Sequence, residues 1–511
     1  MNILGNLSAS AAPRLQPAAV PTARNQDVPS APGEIRRIKD PRPALVRPTV
    51  RDAMRNAEAK LEAWLGKSAA PPSVQYAVLF EGRLVHNGAL GFKNLETGES
   101  TSNDTLYSIN SMSKSLTAAA IMQLVERGKL SLDAKVVDLV PEFARVGGRK
   151  DLVASITVHQ LLSHTGRLSR DAALAYWQPG QFWERGSWPT WAEVAEQLPK
   201  ARVLPNPDKG VKYSNLSFML LGEIVSRVSG EPYESYVANH ILKPLGMHDT
   251  GFTLDDAKLK RCAMGYEPPF TNGDKVERAA VPLLRTPGAM GAASGCKSTA
   301  LDVARWIGFL RDPASTPGVL SPASVATMRK TAAIDETQDS QFGYGLLTLA
   351  LKFGTRAFGH TGSGLGFASV MRMTTDGSFG VVALTNDWSL QQNRAVDIIL
   401  AELVDVARSA PPKGAEPRDP AWAELMGLYQ RGGGAKRTLT TNASGDLVFQ
   451  PGATLTPVPD KKDTFVGIGD TRSGDNDEEF FFLRDAAGKV THVLVGGTTV
   501  EHAQRVEARV G

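Results

Sequence analysis

Cysteine is nearly absent: Cys262 and Cys296 are the whole complement of the 511 residues. There is no C-x-x-C pair and no further thiol to complete a zinc cage, which excludes a disulfide framework and leaves one isolated bridge as the most the count allows. Histidine is sparse too, eight residues scattered without an H-E-x-x-H pair, so a metal centre is a poor reading and no cofactor is expected. No apolar stretch reaches the roughly 18 residues of a membrane span. Nor is charge of one sign in excess. Basic and acidic residues number 57 and 53, with no Lys/Arg run to concentrate the difference, which argues against nucleic acid as a partner. What is present is a 42% share of hydrophobic residues, enough for a sizeable core in a chain too long for one ordinary domain of about 100–200 residues.

Proline marks the outer boundaries. Residues 1–48 are rich in Pro and Ala, from Pro13 to Pro43, a composition that opposes helix and sheet and reads as an extended or disordered leader. The opening MNILGNLSASAAP lacks the basic and apolar regions of a secretory signal, so cytoplasm and a processed exported form both stay open. A main domain is expected over 49–408, a Pro-rich linker over 409–419 and a small β domain over 420–511. Within the main domain, Met54, Ala57, Leu61 and Leu65 repeat at helical spacing. Val74–Phe80 and Leu84–Leu90 flank a Glu81-Gly82-Arg83 turn as a hairpin. From Ser111 to about Leu310 the pattern is mostly helical. Strand-like runs return at Tyr344–Leu351, Arg356–His360, Ala368–Met373 and Gly380–Asn386, followed by a helix over Ala395–Val406. One sheet assembled from distant parts of the chain, covered by helices and interrupted by a helical insert, fits this order.

Chemistry concentrates at three places. Ser111-Met112-Ser113-Lys114 opens a strongly helical segment, and residues three apart on a helix share a face, about 5–6 Å apart at Cβ. A lysine amine so placed can take the serine proton once burial or nearby positive charge has lowered its pKa, and the helix start offers N–H groups for an oxyanion. The spacing alone is weak, since about two S-x-x-K matches are expected by chance in a chain this long. Ser294-Gly295-Cys296-Lys297 is such a second match. There Thr299 and Asp302 are spaced as a capping box for the next helix, so Lys297 falls before that helix and a structural role is expected. Tyr213-Ser214-Asn215 precedes another helical run: a tyrosine near a lysine ammonium can have a lowered pKa and shuttle protons, the asparagine can orient the lysine or a substrate carbonyl, and an ordinary helix N-cap is the bland reading. Gly359-His360-Thr361-Gly362-Ser363-Gly364 permits close approach to a strand edge or forms a glycine-rich turn.

In order and spacing, Tyr107-Ser108-Ile109-Asn110-Ser111-Met112-Ser113-Lys114, then Tyr213-Ser214-Asn215, then His360-Thr361-Gly362 resemble the serine β-lactamase and penicillin-binding-protein superfamily. The likeness is to its class C-like esterase, D-aminopeptidase and 6-aminohexanoate-dimer hydrolase branch. Ile156 to Gly166, Pro244-Leu245-Gly246-Met247, Gly291 to Asp302 and Phe342-Gly343-Tyr344-Gly345 resemble that branch as well, so the match runs from about Asp52 to Val406. It implies an α/β (α+β) fold, an antiparallel sheet flanked by helices, with the C-terminal β domain similar to the lipocalin-like appendages of some relatives. It further implies Ser111 as acylated nucleophile, Lys114 as its base, Tyr213 as second acid/base and Asn215 as orienting group. The N–H groups of Ser111 and Ser363 would form an oxyanion hole, His360 and Gly362 would line the cleft, and His164 would brace a loop.

One departure bears on substrate. Antibiotic-hydrolysing members carry lysine where this chain has His360, an ordinarily neutral side chain at pH 7, which points away from a dedicated β-lactamase and towards esters or amides lacking a carboxylate. A carboxylesterase, an amidase or D-stereospecific peptidase using the same residues, and a non-hydrolytic ligand sensor or assembly protein are the readings in play. The expected partner is a small ester, amide or peptide substrate, with homo-oligomers allowed. Gly66-Lys67-Ser68 is no phosphate loop, because Leu61 takes the place of its first glycine. No G-x-S-x-G elbow occurs. The cluster Trp177, Trp183, Trp188 and Trp191 packs a loop or roofs an apolar pocket.

Overall fold

A computed structural model describes residues 48–67, 69–171, 186–205, 210–272, 275–335, 340–351, 356–389 and 391–409, and in the C-terminal part 419–431, 436–441, 446–449, 453–458, 462–468, 478–495 and 501–506. Most of the leader, most of the Pro-rich linker, Trp177 and Trp183 lie outside the described residues. The long helices are α1 (Pro48–Leu65), α2 (Ser113–Glu126), α3 (Asn215–Ser229), α4 (Ala300–Arg311) and α5 (Gln392–Ser409). The sheet strands are β1 (Ser73–Phe80), β2 (Arg83–Asn94), β3 (Glu99–Ser100), β4 (Ala333–Asp335), β5 (Ser340–Phe342), β6 (Leu347–Ala350), β7 (Arg356–Gly364), β8 (Phe367–Thr374) and β9 (Phe379–Thr385). They form one antiparallel sheet in the order β4-β5-β6-β7-β8-β9-β1-β2-β3. The two ends of the region meet at its centre, where Val74 pairs with Thr385 and Phe80 with Phe379.

The central strands SVQYAVLF and FGVVALT are near-continuous apolar runs because both of their faces are covered. Val74, Tyr76 and Val78 of β1 join Val381 and Ala383 of β9 in a core with Met54, Ala57 and Leu61 of α1 and Ile399 and Leu403 of α5. The intervening residues Ala77, Leu79, Val382 and Leu384 face a second core with α2, α3 and α4. That alternation is the period of two expected of a strand. Helix α2 is buried on every side from Ser113 to Leu124, which its Ser, Thr and Ala side chains permit. Its buried hydroxyls all find acceptors: Ser113 donates to the Asn110 carbonyl at 2.7 Å, Ser115 to the Met112 carbonyl at 2.7 Å and Thr117 to the Ala292 carbonyl at 2.6 Å.

Two expectations need correction. Tyr344–Leu351 is not one strand: Phe342 pairs with Leu347 across a turn, and β6 is only Leu347–Ala350. Gly345 sits in that turn at φ 62°, where a Cβ would come within 2.6 Å of the Lys114 carbonyl oxygen. The helical insert also carries short antiparallel pairs, Gly265–Tyr266 with Ala280–Val281 and Phe270–Asn272 with Lys275–Glu277.

Beyond the Pro-rich segment, eight strands from β10 (Gly427–Arg431) to β17 (Glu501–Val506) close into an antiparallel barrel, each pairing with the next and the last with the first. This is the up-and-down closure of lipocalin-like barrels, which leaves no open edge. Its own core is aromatic, with Phe449 and Phe480 centred 5.4 Å apart and Phe465 and Phe482 5.6 Å apart.

Candidate active site

The turn that carries Ser111 is fixed from three sides. A 3-10 turn, Asn110–Met112, runs straight into α2. Asn110 enters it at φ 47°, a left-handed conformation that asparagine tolerates better than most residues. Its amide donates to the carbonyls of Gly364 at 3.1 Å and Phe367 at 3.3 Å. Ser369 on β8 donates to the Ile109 carbonyl at 2.8 Å, and Ile109 N donates to the Cys296 carbonyl at 3.0 Å. Gly362 on β7 lies against this turn so closely that a Cβ there would strike the Ile109 carbonyl and the Ser369 hydroxyl. Only glycine lets the strand come this near.

Lys114 is completely buried. Its Nζ lies 3.1 Å from Ser111 Oγ, 2.8 Å from Asn215 Oδ1 and 2.8 Å from the Ala293 carbonyl oxygen. Burial first, then the Arg170 guanidinium, hold its pKa well below the ordinary lysine value, while Asp171 pulls the other way. A neutral amine has two N–H bonds and one lone pair. The two carbonyl-type acceptors have no proton to give and take the N–H bonds, so the lone pair is left for the Ser111 hydroxyl. That is the arrangement of a base waiting for its proton.

Tyr213 precedes α3, whose N-cap is Ser214, accepting from Ser217 N at 3.0 Å. Its ring centroid is 4.8 Å from Lys114 Nζ, and Ser111 is among the groups that act on its titration. The direction of its pKa is the reverse of the sequence expectation. Burial pushes it up, and the neighbouring Ser111 and the Arg170 charge offset that only in part. Tyr213 is therefore a phenol rather than a phenolate at neutral pH. His164 stacks on it at 4.4 Å between ring centres and accepts from Ser214 N through Nδ1 at 3.1 Å, so this buried ring braces Tyr213 and the start of α3.

His360 is buried on β7, its ring centred 6.4 Å from that of Tyr213. Its Nδ1–H donates to the Thr361 carbonyl at 2.5 Å, and burial followed by the nearby Lys114 charge lowers its pKa to about 3. The third motif thus contributes no cation. Ser363 is exposed on the same strand, opposite Ala368. A small cavity of about 20 Å³ lies beside the Ser111 turn, lined by Asn110, Trp188, Pro287, Ser294, Leu365 and Phe367 among others. Trp188 thus belongs to a pocket wall, while Trp191 opens the helix Trp191–Gln197.

The structure brings Ser111, Lys114, Tyr213, Asn215, His360 and Gly362 together. It also draws in residues to which the sequence reading gave no role: Asn110, whose left-handed preference was the one available signal, and Arg170 and Asp171, for which no local signal exists. The second S-x-x-K match forms no dyad. Lys297 Nζ donates to the Leu284 carbonyl at 3.0 Å. Thr299 caps α4 by accepting from Asp302 N at 3.2 Å, but Asp302 does not reciprocate; its carboxylate accepts from Asp249 N and the Thr250 hydroxyl at 2.8 and 2.9 Å. Cys262 and Cys296 are both free thiols.

A family model described as Beta-lactamase matches residues 51–405. The chain belongs to the beta-lactamase family. A relative from Amycolatopsis lactamdurans, penicillin-binding protein 4, is 30% identical over 71% of this chain and 94% of its own length. Esterase EstB of Burkholderia gladioli is 29% identical over 53% of this chain and 73% of its own. Among solved structures, a D-stereospecific amidohydrolase from Streptomyces sp. shares the fold at a TM-score of 0.55 and 22% identity, over 68% of this chain and 97% of that one. Family membership makes this chain a serine hydrolase related to the β-lactamases.

Proposed function

We propose that the chain cleaves carboxylic esters through an acyl-enzyme on Ser111. The observation that carries this reading is the buried Lys114 amine, 2.8 Å from each of two carbonyl-type acceptors and 3.1 Å from Ser111 Oγ, so that in its neutral form the lone pair is left for Ser111. In the first half-reaction Lys114 takes the Ser111 proton, Oγ bonds the ester carbonyl carbon, the bond to the alkoxy oxygen breaks, and the departing oxygen takes the proton back. Water then repeats the sequence in reverse, its proton passing by way of Tyr213 and Lys114. The backbone N–H groups of Ser111 and Ser363 are the proposed oxyanion donors, with Asn215 holding Lys114 and His360 and Gly362 along the substrate edge. The neutral His360 supports uncharged esters over substrates that need a fixed cation. The similarity to esterase EstB supports esters as well. Amide cleavage by the same residues is the second reading, favoured by the shared fold with a D-stereospecific amidohydrolase.

The test is intact-protein mass after brief exposure to a fluorophosphonate, run for the native chain, Ser111→Ala and Ser294→Ala, beside turnover of p-nitrophenyl esters and D-amino-acid p-nitroanilides. One adduct that disappears only in Ser111→Ala, with ester turnover ahead of anilide turnover, is the expected result. Anilide turnover ahead of ester turnover replaces the ester reading with the amidase, and a folded protein with neither adduct nor turnover removes both.

A further inference from the structure

Beneath Lys114 lies a second layer of hydrogen bonds that ends in a carboxylate. Residues 169–171 dock on the start of α3. Ser214 Oγ donates to the Ser169 carbonyl at 2.8 Å, Asn215 N and Leu216 N donate to the Arg170 carbonyl at 2.6 and 3.1 Å, and Asn215 Nδ2 donates to Asp171 Oδ1 at 2.9 Å. Asn215 Oδ1 in turn accepts from Lys114 Nζ at 2.8 Å. The unbroken line is Asp171, Asn215, Lys114, Ser111.

We propose that Asp171 is a positioning residue that sets which end of the Asn215 carboxamide faces Lys114. The chemistry is one of donors and acceptors. An ionised carboxylate can only accept, so Asp171 draws the NH₂ end of Asn215 towards itself and leaves the oxygen for Lys114. The flipped amide would turn its NH₂ towards the amine, set its oxygen against the carboxylate and draw the Lys114 lone pair away from Ser111. Asp171 is only 22% exposed, so this charge-assisted bond is little screened. Its Oδ2 lies 3.7 Å from Arg170 Nε, which leaves Oδ1 to Asn215. Among the described residues, the charged and titratable groups around Lys114 are Arg170, Asp171, His164, His360 and Tyr213. Asp171 is the carboxylate among them, so it also supplies the negative charge that opposes Arg170 at the amine.

The proposal rests on the serine-hydrolase reading, and its test separates the two. Asp171→Ala and Asp171→Asn are compared with the native chain in melting temperature, in the pH profile of ester kcat/KM, and in the pH titration of Lys114 followed by NMR of protein carrying ¹³Cε-lysine, the resonance assigned by its loss in Lys114→Met. That titration reads the buried amine whether or not the protein turns over substrate. Asp171→Ala should lose about tenfold to a hundredfold in kcat, the equivalent of one charge-assisted hydrogen bond. Asp171→Asn, which still offers an acceptor oxygen, should recover most of that loss. Both should move the acid limb and the Lys114 titration to lower pH, because the charge that favours the Lys114 ammonium is gone. Titrations that superimpose on the native one, with rates unchanged or falling only in step with melting temperature, would reduce Asp171 to a packing residue. Absent turnover and absent fluorophosphonate adduct in the native chain would remove the hydrolase reading, while the Lys114 titrations still decide the role of Asp171.

Discussion

Ser111–Lys114 and Ser294–Lys297 share a spacing and nearly share a place, for the Ser294 hydroxyl lies 3.5 Å from Asn110 Oδ1, beside the Ser111 turn. Their chemistry differs because their backbones do. Ser111 sits in a 3-10 turn continuous with α2, so the three-residue spacing becomes a shared face and a 3.1 Å contact. Ser294 ends a short helix, Gly291–Ser294, and Lys297 lies on the two-residue strand Lys297–Ser298 that pairs with Tyr107–Ser108. Both lysines are buried and both have lowered pKa values, burial being the first cause in each. Burial alone therefore does not make a base. What distinguishes Lys114 is that two of its three neighbours are acceptors without a proton to give and the third is a hydroxyl.

Replacing each lysine breaks this comparison most directly. Lys114→Met should lower ester kcat/KM by about 10²- to 10⁴-fold, the usual contribution of a general base. Lys297→Met removes one hydrogen bond to the Leu284 carbonyl and should cost about 0.5–1.5 kcal/mol of stability while the rate is retained. Steady-state kinetics and thermal melts on the two variants check the pair. A comparable rate loss in Lys297→Met would show that the second motif shares in the chemistry.

Tyr213→Phe should produce a smaller but more informative effect. The phenol is held in the neutral form by burial, so on the proposed mechanism its loss interrupts a proton relay rather than removing a base. Turnover should fall about a hundredfold, and deacylation should suffer more than acylation. Rapid mixing with a p-nitrophenyl ester should therefore show a stoichiometric burst of p-nitrophenol, and mass spectrometry should find the acyl group on Ser111. Slow acylation without a burst would place Tyr213 in the first half-reaction instead.

Much of the scaffold is legible in the sequence because it follows from local period. Met54, Ala57 and Leu61 announce the buried stripe of α1, and the two apolar runs of β1 and β9 announce strands covered on both faces. Within the site, the helical spacing of Ser111 and Lys114 is equally local. Asp171 is not, since it meets Asn215 across 44 residues through side chains alone, and no periodicity records such a meeting. The phenol of Tyr213 fails for a related reason: its titration depends on how completely the fold encloses it, and the proximity of a lysine suggests the wrong sign. At Tyr344 the local pattern itself misleads, because the backbone turns where Gly345 packs on the Lys114 carbonyl.

The smallest expected effect concerns which group titrates. With its pKa lowered to about 3, His360 stays neutral from pH 5 to 8, and its Nδ1–H is already committed to the Thr361 carbonyl. The acid limb of kcat/KM should then belong to Lys114: activity is present above the lowered lysine pKa and is lost as pH falls through it. His360→Gln keeps a donor and a similar volume, and it removes only the ionisation. It should leave the position of the acid limb unchanged even if the rate falls a few-fold, on the order of 1 kcal/mol of transition-state binding. If His360 instead titrated near its ordinary 6.5, its protonation would place a cation beside Lys114 and the native profile would drop in that range. The substitution would then carry the limb to lower pH. A limb that moves in His360→Gln would therefore transfer the titration from Lys114 to the histidine, and a limb that stays keeps it with the lysine.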